Sequence, residues 1–237
     1  GATASLTKTT GGDVTLAGAN TYGGGTFVED GRLIVNGSIT GITTVEPGGI
    51  LSGNGIIGNI TLNAGGVLSP GNSPGKLTSL GETWEGGGIY EWEINDLLGG
   101  EGLDPGWDFL DIDGDVTLLN VTELNPFNIE IVSLTGGNVE GVPENFDPLS
   151  PFTRKIADIS GGTGWFDESL FHLDFSRFSG APDSSFTLSA NGTALNLTYS
   201  PPSAGDEVPE PSTLLLLLPL LAGGFALKNL RRCRAGK

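Results

Sequence analysis

Three ten-residue segments of this chain align without gaps at a constant interval of 17 residues: residues 26–35, 43–52 and 60–69. Gly31, Gly48 and Gly65 fall in register, as do Val28, Val45 and Leu62. So do Leu33, Ile50 and Val67, and beside them Ile34, Leu51 and Leu68. Each segment reads as a short strand, a glycine turn and a second short strand. A further turn follows at Asn36-Gly37, Asn54-Gly55 or Gly71-Asn72. Strands this short do not hold a sheet alone. Wound about an axis, each stacks about 4.8 Å from its counterpart in the next repeat, and the aligned apolar residues form internal ladders. The interval predicts an all-β fold: a right-handed parallel β-solenoid (β-helix) over residues 1–78, with nearest-neighbour energetics. A β-sandwich with evenly spaced turns is the competing arrangement, and the constant interval argues against it.

Composition agrees with many short strands and tight turns. Forty of the 237 residues are Gly, and only 16% are charged. Glycine enters positive-φ turns without steric cost, and a disordered chain would be richer in charge. The net charge is −17, unevenly spread. Residues 1–227 hold 6 basic against 28 acidic residues, and the last ten hold five basic residues and no acid. So acidic a body repels phosphates, which excludes nucleic acid as a partner. The one cysteine, Cys233, allows neither an internal disulfide nor a multi-cysteine zinc site. The sequence has no Met and begins Gly-Ala-Thr-Ala-Ser. The expectation is that upstream residues, a signal peptide among them, lie outside it.

Residues 79–203 lose the interval and gain the aromatics Trp84, Tyr90, Trp92, Trp107 and Trp165. Residues 128–132 read as a strand. Residues 186–189 and 194–199 flank Asn191-Gly192, a hairpin signal. This region is expected to continue the solenoid or to cap it with further β-structure, since a last open tier would expose an edge. The rings are expected to pack in core and cap rather than to form a sugar platform.

Signals for chemistry are sparse. Asp108, Asp111, Asp113 and Asp115 have a spacing that suits oxygen ligands for calcium, but Thr122 stands where an EF-hand loop places Glu. A solvated strand face and turn is the expectation. His172, the one histidine, sits among Phe171, Leu173 and Phe175 without a nucleophile elbow, and is expected to be a packing or surface side chain. Acids are spread so widely that no glycosidase pair stands out. No catalytic residue, metal or cofactor is assigned, and no glycosylation is assigned to the Asn-x-Ser/Thr sequons at Asn36, Asn59, Asn120, Asn191 and Asn196, which arise readily in a Gly/Asn/Thr-rich sequence.

The C-terminus changes character. Residues 204–211 form a linker that ends in Pro209-Glu210-Pro211. Within 212–237, Leu214 to Leu227 is uncharged, and Lys228, Arg231, Arg232 and Arg234 close it. Fourteen helical residues span about 21 Å, against about 30 Å of hydrocarbon. Counting from Ser212 to Leu230, with Lys228 snorkelling, gives about 28 Å. The expectation is a single, marginal transmembrane helix with its basic end in the cytoplasm.

Two resemblances follow from these residues. Leu16-Ala17-Gly18-Ala19-Asn20-Thr21-Tyr22-Gly23-Gly24-Gly25-Thr26-Phe27-Val28 with Gly31-Arg32-Leu33-Ile34-Val35-Asn36-Gly37 resembles the autotransporter-associated β-strand repeat, and residues 68–75 resemble a segment that often follows such repeats. This resemblance spans about residues 13–78 and implies a parallel β-helix displayed outside the cell. Since these 237 residues leave no room for a membrane barrel, the expectation is that the chain is not itself an autotransporter. Val208, Pro209, Glu210, Pro211, Ser212 and Thr213, then the apolar run, then the arginines, resemble the PEP-CTERM sorting signal. That resemblance implies an exosortase as processing partner, transit through the inner membrane of a Gram-negative bacterium, and delivery to the cell surface or an exopolysaccharide matrix. The combined expectation is a non-enzymatic, structural or adhesive surface protein. The alternatives are a polysaccharide-acting β-helix lyase or glycosidase, with a carboxylate cleft on one face, and a calcium- or glycan-binding module.

Overall fold

The computed structural model describes residues 4–181 and 186–201, and the fold is all-β. Its strands join in one hydrogen-bonded sheet. The first is β1 (Leu6–Leu16), followed by β2 (Ala19–Asn20), β3 (Thr26–Val35) and β4 (Ser38–Ile39). Next come β5 (Thr43–Val45), β6 (Gly49–Gly53), β7 (Ile56–Leu62) and β8 (Val67–Pro70). The longer β9 (Lys76–Glu85) and β10 (Ile89–Ile94) precede the short β11 (Gly100–Glu101) and β12 (Gly106–Trp107). Then come β13 (Phe109–Ile112), β14 (Val116–Leu119), β15 (Phe127–Ser133), β16 (Phe152–Ile159) and β17 (Phe171–Asp174). A hairpin of β18 (Phe186–Asn191) and β19 (Ala194–Tyr199) ends the described chain. No helix among the described residues is long and apolar enough to cross a membrane. The expected transmembrane segment, 212–237, lies outside the described residues.

Parallel pairing dominates the first half. Thr43 pairs with Thr26 and with Ile60, and Ile60 pairs with Glu82. Leu51 pairs with Leu33 and Leu68, and Tyr90 pairs with Leu68 and Ile129. The sheet as a whole is mixed: the β18–β19 hairpin at Asn191-Gly192 is antiparallel, as its turn leads one to expect, whereas the antiparallel pairings of β12 with β10 and of β19 with β16 depart from the expected parallel arrangement.

One register differs from the repeat alignment. Leu33 meets Leu51, not Ile50, and Arg32 meets Ile50. The reason is a single residue. Gly31 is followed directly by Arg32, whereas Gly48 is followed by Gly49, and Gly49 is tucked against the Val28 carbonyl where a Cβ would clash. The turn glycines still stack: Gly31 N–H donates to Gly48 O (3.2 Å), Gly48 N–H to Gly65 O (3.2 Å) and Gly65 N–H to Gly87 O (2.8 Å). All four have positive φ, from 69° to 92°, the region only glycine enters freely. The second turn also stacks, with Asn36 Oδ1 accepting from Asn54 N and from Asn72 Nδ2, both at 3.1 Å.

The interior follows from alternation along each strand. Val28, Val45, Leu62 and Trp84 point inward in one line, and Leu33, Leu51, Leu68, Tyr90 and Ile129 in another, all fully buried. The first line runs from aliphatic residues to Trp84, and in the second Tyr90 stands between Leu68 and Ile129. Trp84 stacks on Phe127 with centroids 4.7 Å apart and planes at 11°, and meets Trp165 and Phe171 edge-on. Buried polar tips find partners: Tyr90 Oη donates to Ile156 O and Trp92 Nε1 to Asp108 O, each at 2.8 Å. These aromatics pack in the core as expected. Phe146, Phe152, Phe178, Phe186 and Tyr199 form a second ring cluster beneath the terminal hairpin. Gly192 turns that hairpin at φ 65°.

Candidate functional site

The residues that the sequence marks most strongly lie outside the described residues: Val208, Pro209, Glu210, Pro211, Ser212 and Thr213, with Lys228, Arg231, Arg232 and Arg234. The aspartates of 108–115 do not converge. Asp108 is buried and accepts from Gly75 N (2.8 Å) and Glu93 N (3.0 Å). Burial, with Glu93 adding to it, pushes its carboxyl well above the usual range. Asp111 points outward to Lys76 at 3.1 Å, and Asp113 accepts from Ser160 at 3.4 Å. Among the described residues no three acidic, histidine or cysteine side chains meet as a metal site. His172 is exposed on β17, opposite Asn128.

A charged cleft of about 450 Å³ lies where β9, β13 and β16 meet. Lys76, Asp111, Lys155, Asp158 and Glu101 line it over Phe109 and Leu103. Parallel register sets Asp111 beside Asp158. Lys155 Nζ reaches Asp158 at 3.0 Å and Glu101 at 3.4 Å. The Lys155 bond holds Asp158 below its ordinary range, and the same bond raises Lys155. The cleft is a set of ion pairs closed on themselves, and a ligand entering it must break them.

Three carboxylates form a row on β10, β15 and β17: Glu91 pairs with Glu130, and Glu130 with Asp174. Arg177 clamps the row, reaching Glu91 and Glu140 at 2.6 Å and Glu130 at 3.5 Å. Burial, then Glu91, raises Glu130; hydrogen bonding from the Ser176 backbone lowers Asp174. This arrangement fastens the segment around Arg177 to the sheet.

The third feature is uncharged. Phe27, Thr44, Thr61, Thr83 and Thr117 are successive register partners across β3, β5, β7, β9 and β14. Residues on either side of each point inward, so these five face out. Two concavities, of about 400 and 310 Å³, lie along them and share Ile42. Beneath the row sits Glu82, 4% exposed, with Oε1 accepting from Ser79 (2.8 Å) and Oε2 from Trp84 Nε1 (2.6 Å). Burial lifts its carboxyl from 4.5 to about 7, against the two hydrogen bonds.

Sequence reasoning missed both the cleft and the threonine row. Thr44 and Thr61 keep the constant repeat interval, but the next steps along the row, to Thr83 and then to Thr117, are each longer than the one before. The triplets Thr-Thr-Val, Ile-Thr-Leu, Glu-Thr-Trp and Val-Thr-Leu were the available signal. No protein-family model matches the chain, and no curated protein matches it.

Proposed function

We propose that this chain is a non-enzymatic surface or matrix protein of a Gram-negative bacterium, structural or adhesive, delivered by an exosortase. The observation that carries the reading is the order of the C-terminal sequence: Val208-Pro209-Glu210-Pro211-Ser212-Thr213, an apolar run, then Lys228, Arg231, Arg232 and Arg234. An extended Pro-Glu-Pro segment offers a protease accessible backbone, and the basic flank holds the cytoplasmic end of a membrane-inserted helix. In this reading the body is a right-handed parallel β-solenoid. The equal register steps from Thr43 to Ile60 and from Leu51 to Leu68 support that geometry, as do the stacked turn glycines.

A passive role suits the side chains. Acid–base chemistry on a glycan asks for a carboxyl poised near neutral pH within reach of the substrate. Glu82 has the poise, but both of its oxygens are engaged inside the core. In the charged cleft, Asp158 is held ionised by Lys155. The test is the intact mass of the mature protein from exosortase-positive and exosortase-deficient hosts. The expected result is a chain lacking roughly 25–30 C-terminal residues only where the enzyme is present. The same full-length mass in both hosts would reduce the tail to a plain anchor.

A further inference from the structure

We propose that the threonine row is the floor of a binding groove for a neutral, extended glycan that lies across the strands. The inference deepens the surface-and-matrix reading and rests on it for its biological setting. Phe27, Thr44, Thr61, Thr83 and Thr117 span four strand steps, about 19 Å at 4.8 Å per step. Ile42 and Leu80, 55% and 53% exposed, form apolar walls, and Asn59 lies beside the row. A threonine hydroxyl both donates and accepts, which suits sugar hydroxyls, while its methyl group and the apolar walls suit the C–H faces of the rings.

Charge selects among polymers. Among the described residues no Lys, Arg or His lines either concavity, and Asp115 is the one exposed acid there. An anionic polymer would meet no cation in the groove and would approach a chain of net charge −17. A neutral chain meets neither penalty. From β5 through β14 the register repeats one outward threonine hydroxyl per strand, and Phe27 ends the row with an aromatic face, so a periodic ligand finds an equivalent contact at each of the four threonines. Affinity should therefore rise with chain length. The charged cleft lacks this match, because its lysines already hold its own acids.

Isothermal titration of the full-length chain in detergent provides the test. The probes are cellohexaose and laminarihexaose as neutral glycans, their disaccharides, and hexagalacturonate as the anionic control. A neutral hexasaccharide should bind, its disaccharide much more weakly, and hexagalacturonate not at all. Thr61→Val with Thr83→Val should weaken hexasaccharide binding roughly tenfold without lowering the melting temperature, and Ile42→Asp should do the same from the wall. Thr78→Val, on another part of β9, should leave binding unchanged. Equal binding by the double variant and the parent overturns the proposal, as does equal binding of hexagalacturonate or no binding of either neutral hexasaccharide at millimolar concentration. Because the unprocessed chain is titrated, failure here leaves the sorting reading intact, and failure of tail processing leaves this binding intact.

Discussion

Glu82 is the residue whose chemistry the fold alters most usefully for experiment. It occupies an inward position that Thr26, Thr43 and Ile60 fill in earlier tiers. Its carboxyl sits at about 7 rather than 4.5, so between those pH values the folded chain holds a proton that the unfolded chain releases. Stability from this group is greatest below pH 4.5 and is lost as pH rises through 7. At pH 8 the buried charge costs roughly 3 kcal/mol. Glu82→Gln should remove that cost. The amide oxygen can accept from Trp84 and its NH2 can donate to the Ser79 hydroxyl, which works in either direction. Urea denaturation should give Glu82→Gln a gain of about 2–3 kcal/mol at pH 8 and almost none at pH 4. Asp108, Glu93 and Glu130 are raised in the same direction by burial, so the variant should keep a shallower fall in stability with pH. A gain that is equal at both pH values would refute the assignment.

The elements repeat because their turns repeat. Gly65 holds φ 79°, and a Cβ there meets Pro47 at 3.4 Å, so Gly65→Ala suffers mainly backbone strain, about 1–2 kcal/mol. Gly49→Ala should cost more, since its Cβ runs into the Val28 carbonyl, a backbone atom that cannot turn aside. Denaturant midpoints should rank the parent above Gly65→Ala and Gly65→Ala above Gly49→Ala; the reverse order would mean that tier spacing relaxes freely. Gly49 also marks how far the sequence could be read. Turn glycines and inward ladders were legible because identical local conformations demand similar residues at one interval. The slip between Leu33 and Leu51 was not, because an ungapped alignment cannot see one extra residue that a shorter connection later absorbs. Residues 40–42 link β4 to β5 where only 58 and 59 stand at the matching point of β7. The hairpin at Asn191-Gly192 was legible from its turn alone. The other antiparallel partner of β19 is β16, which is separated from it in sequence by β17 and β18, and no local signal announces that pairing.

At the scale of the described body, the tiers are unequal. Leu51 and Leu68 are register partners at the constant repeat interval, whereas the connection from Leu68 to Tyr90 is longer and that from Tyr90 to Ile129 longer still. Longer connections carry the residues of the charged cleft, which is why a search for constant spacing passes over it. Stability should be graded along the same direction. β1 pairs only with β3, its register breaks twice, and most of its residues are exposed. Lys8 turns inward there, 5% exposed, and its ammonium donates to the Thr10 and Asp30 carbonyls. An inward lysine and an irregular register are devices that blunt a sheet edge. β9, by contrast, pairs with β7 on one side and with β13 and β14 on the other, and delivers Trp84 to the aromatic core. On the proposed solenoid reading, with nearest-neighbour energetics, the outermost strand of the described body opens first. Amide exchange in β1 should therefore be at least about 100-fold faster than in β7, β9 and β15. The β18–β19 hairpin should fall between them, since it is terminal in the described body but seated on the Phe146–Tyr199 ring cluster. Exchange followed by mass spectrometry distinguishes the cases. Uniform protection from β1 to β15 would mean that the body unfolds as one cooperative block, and the nearest-neighbour picture would have to be abandoned.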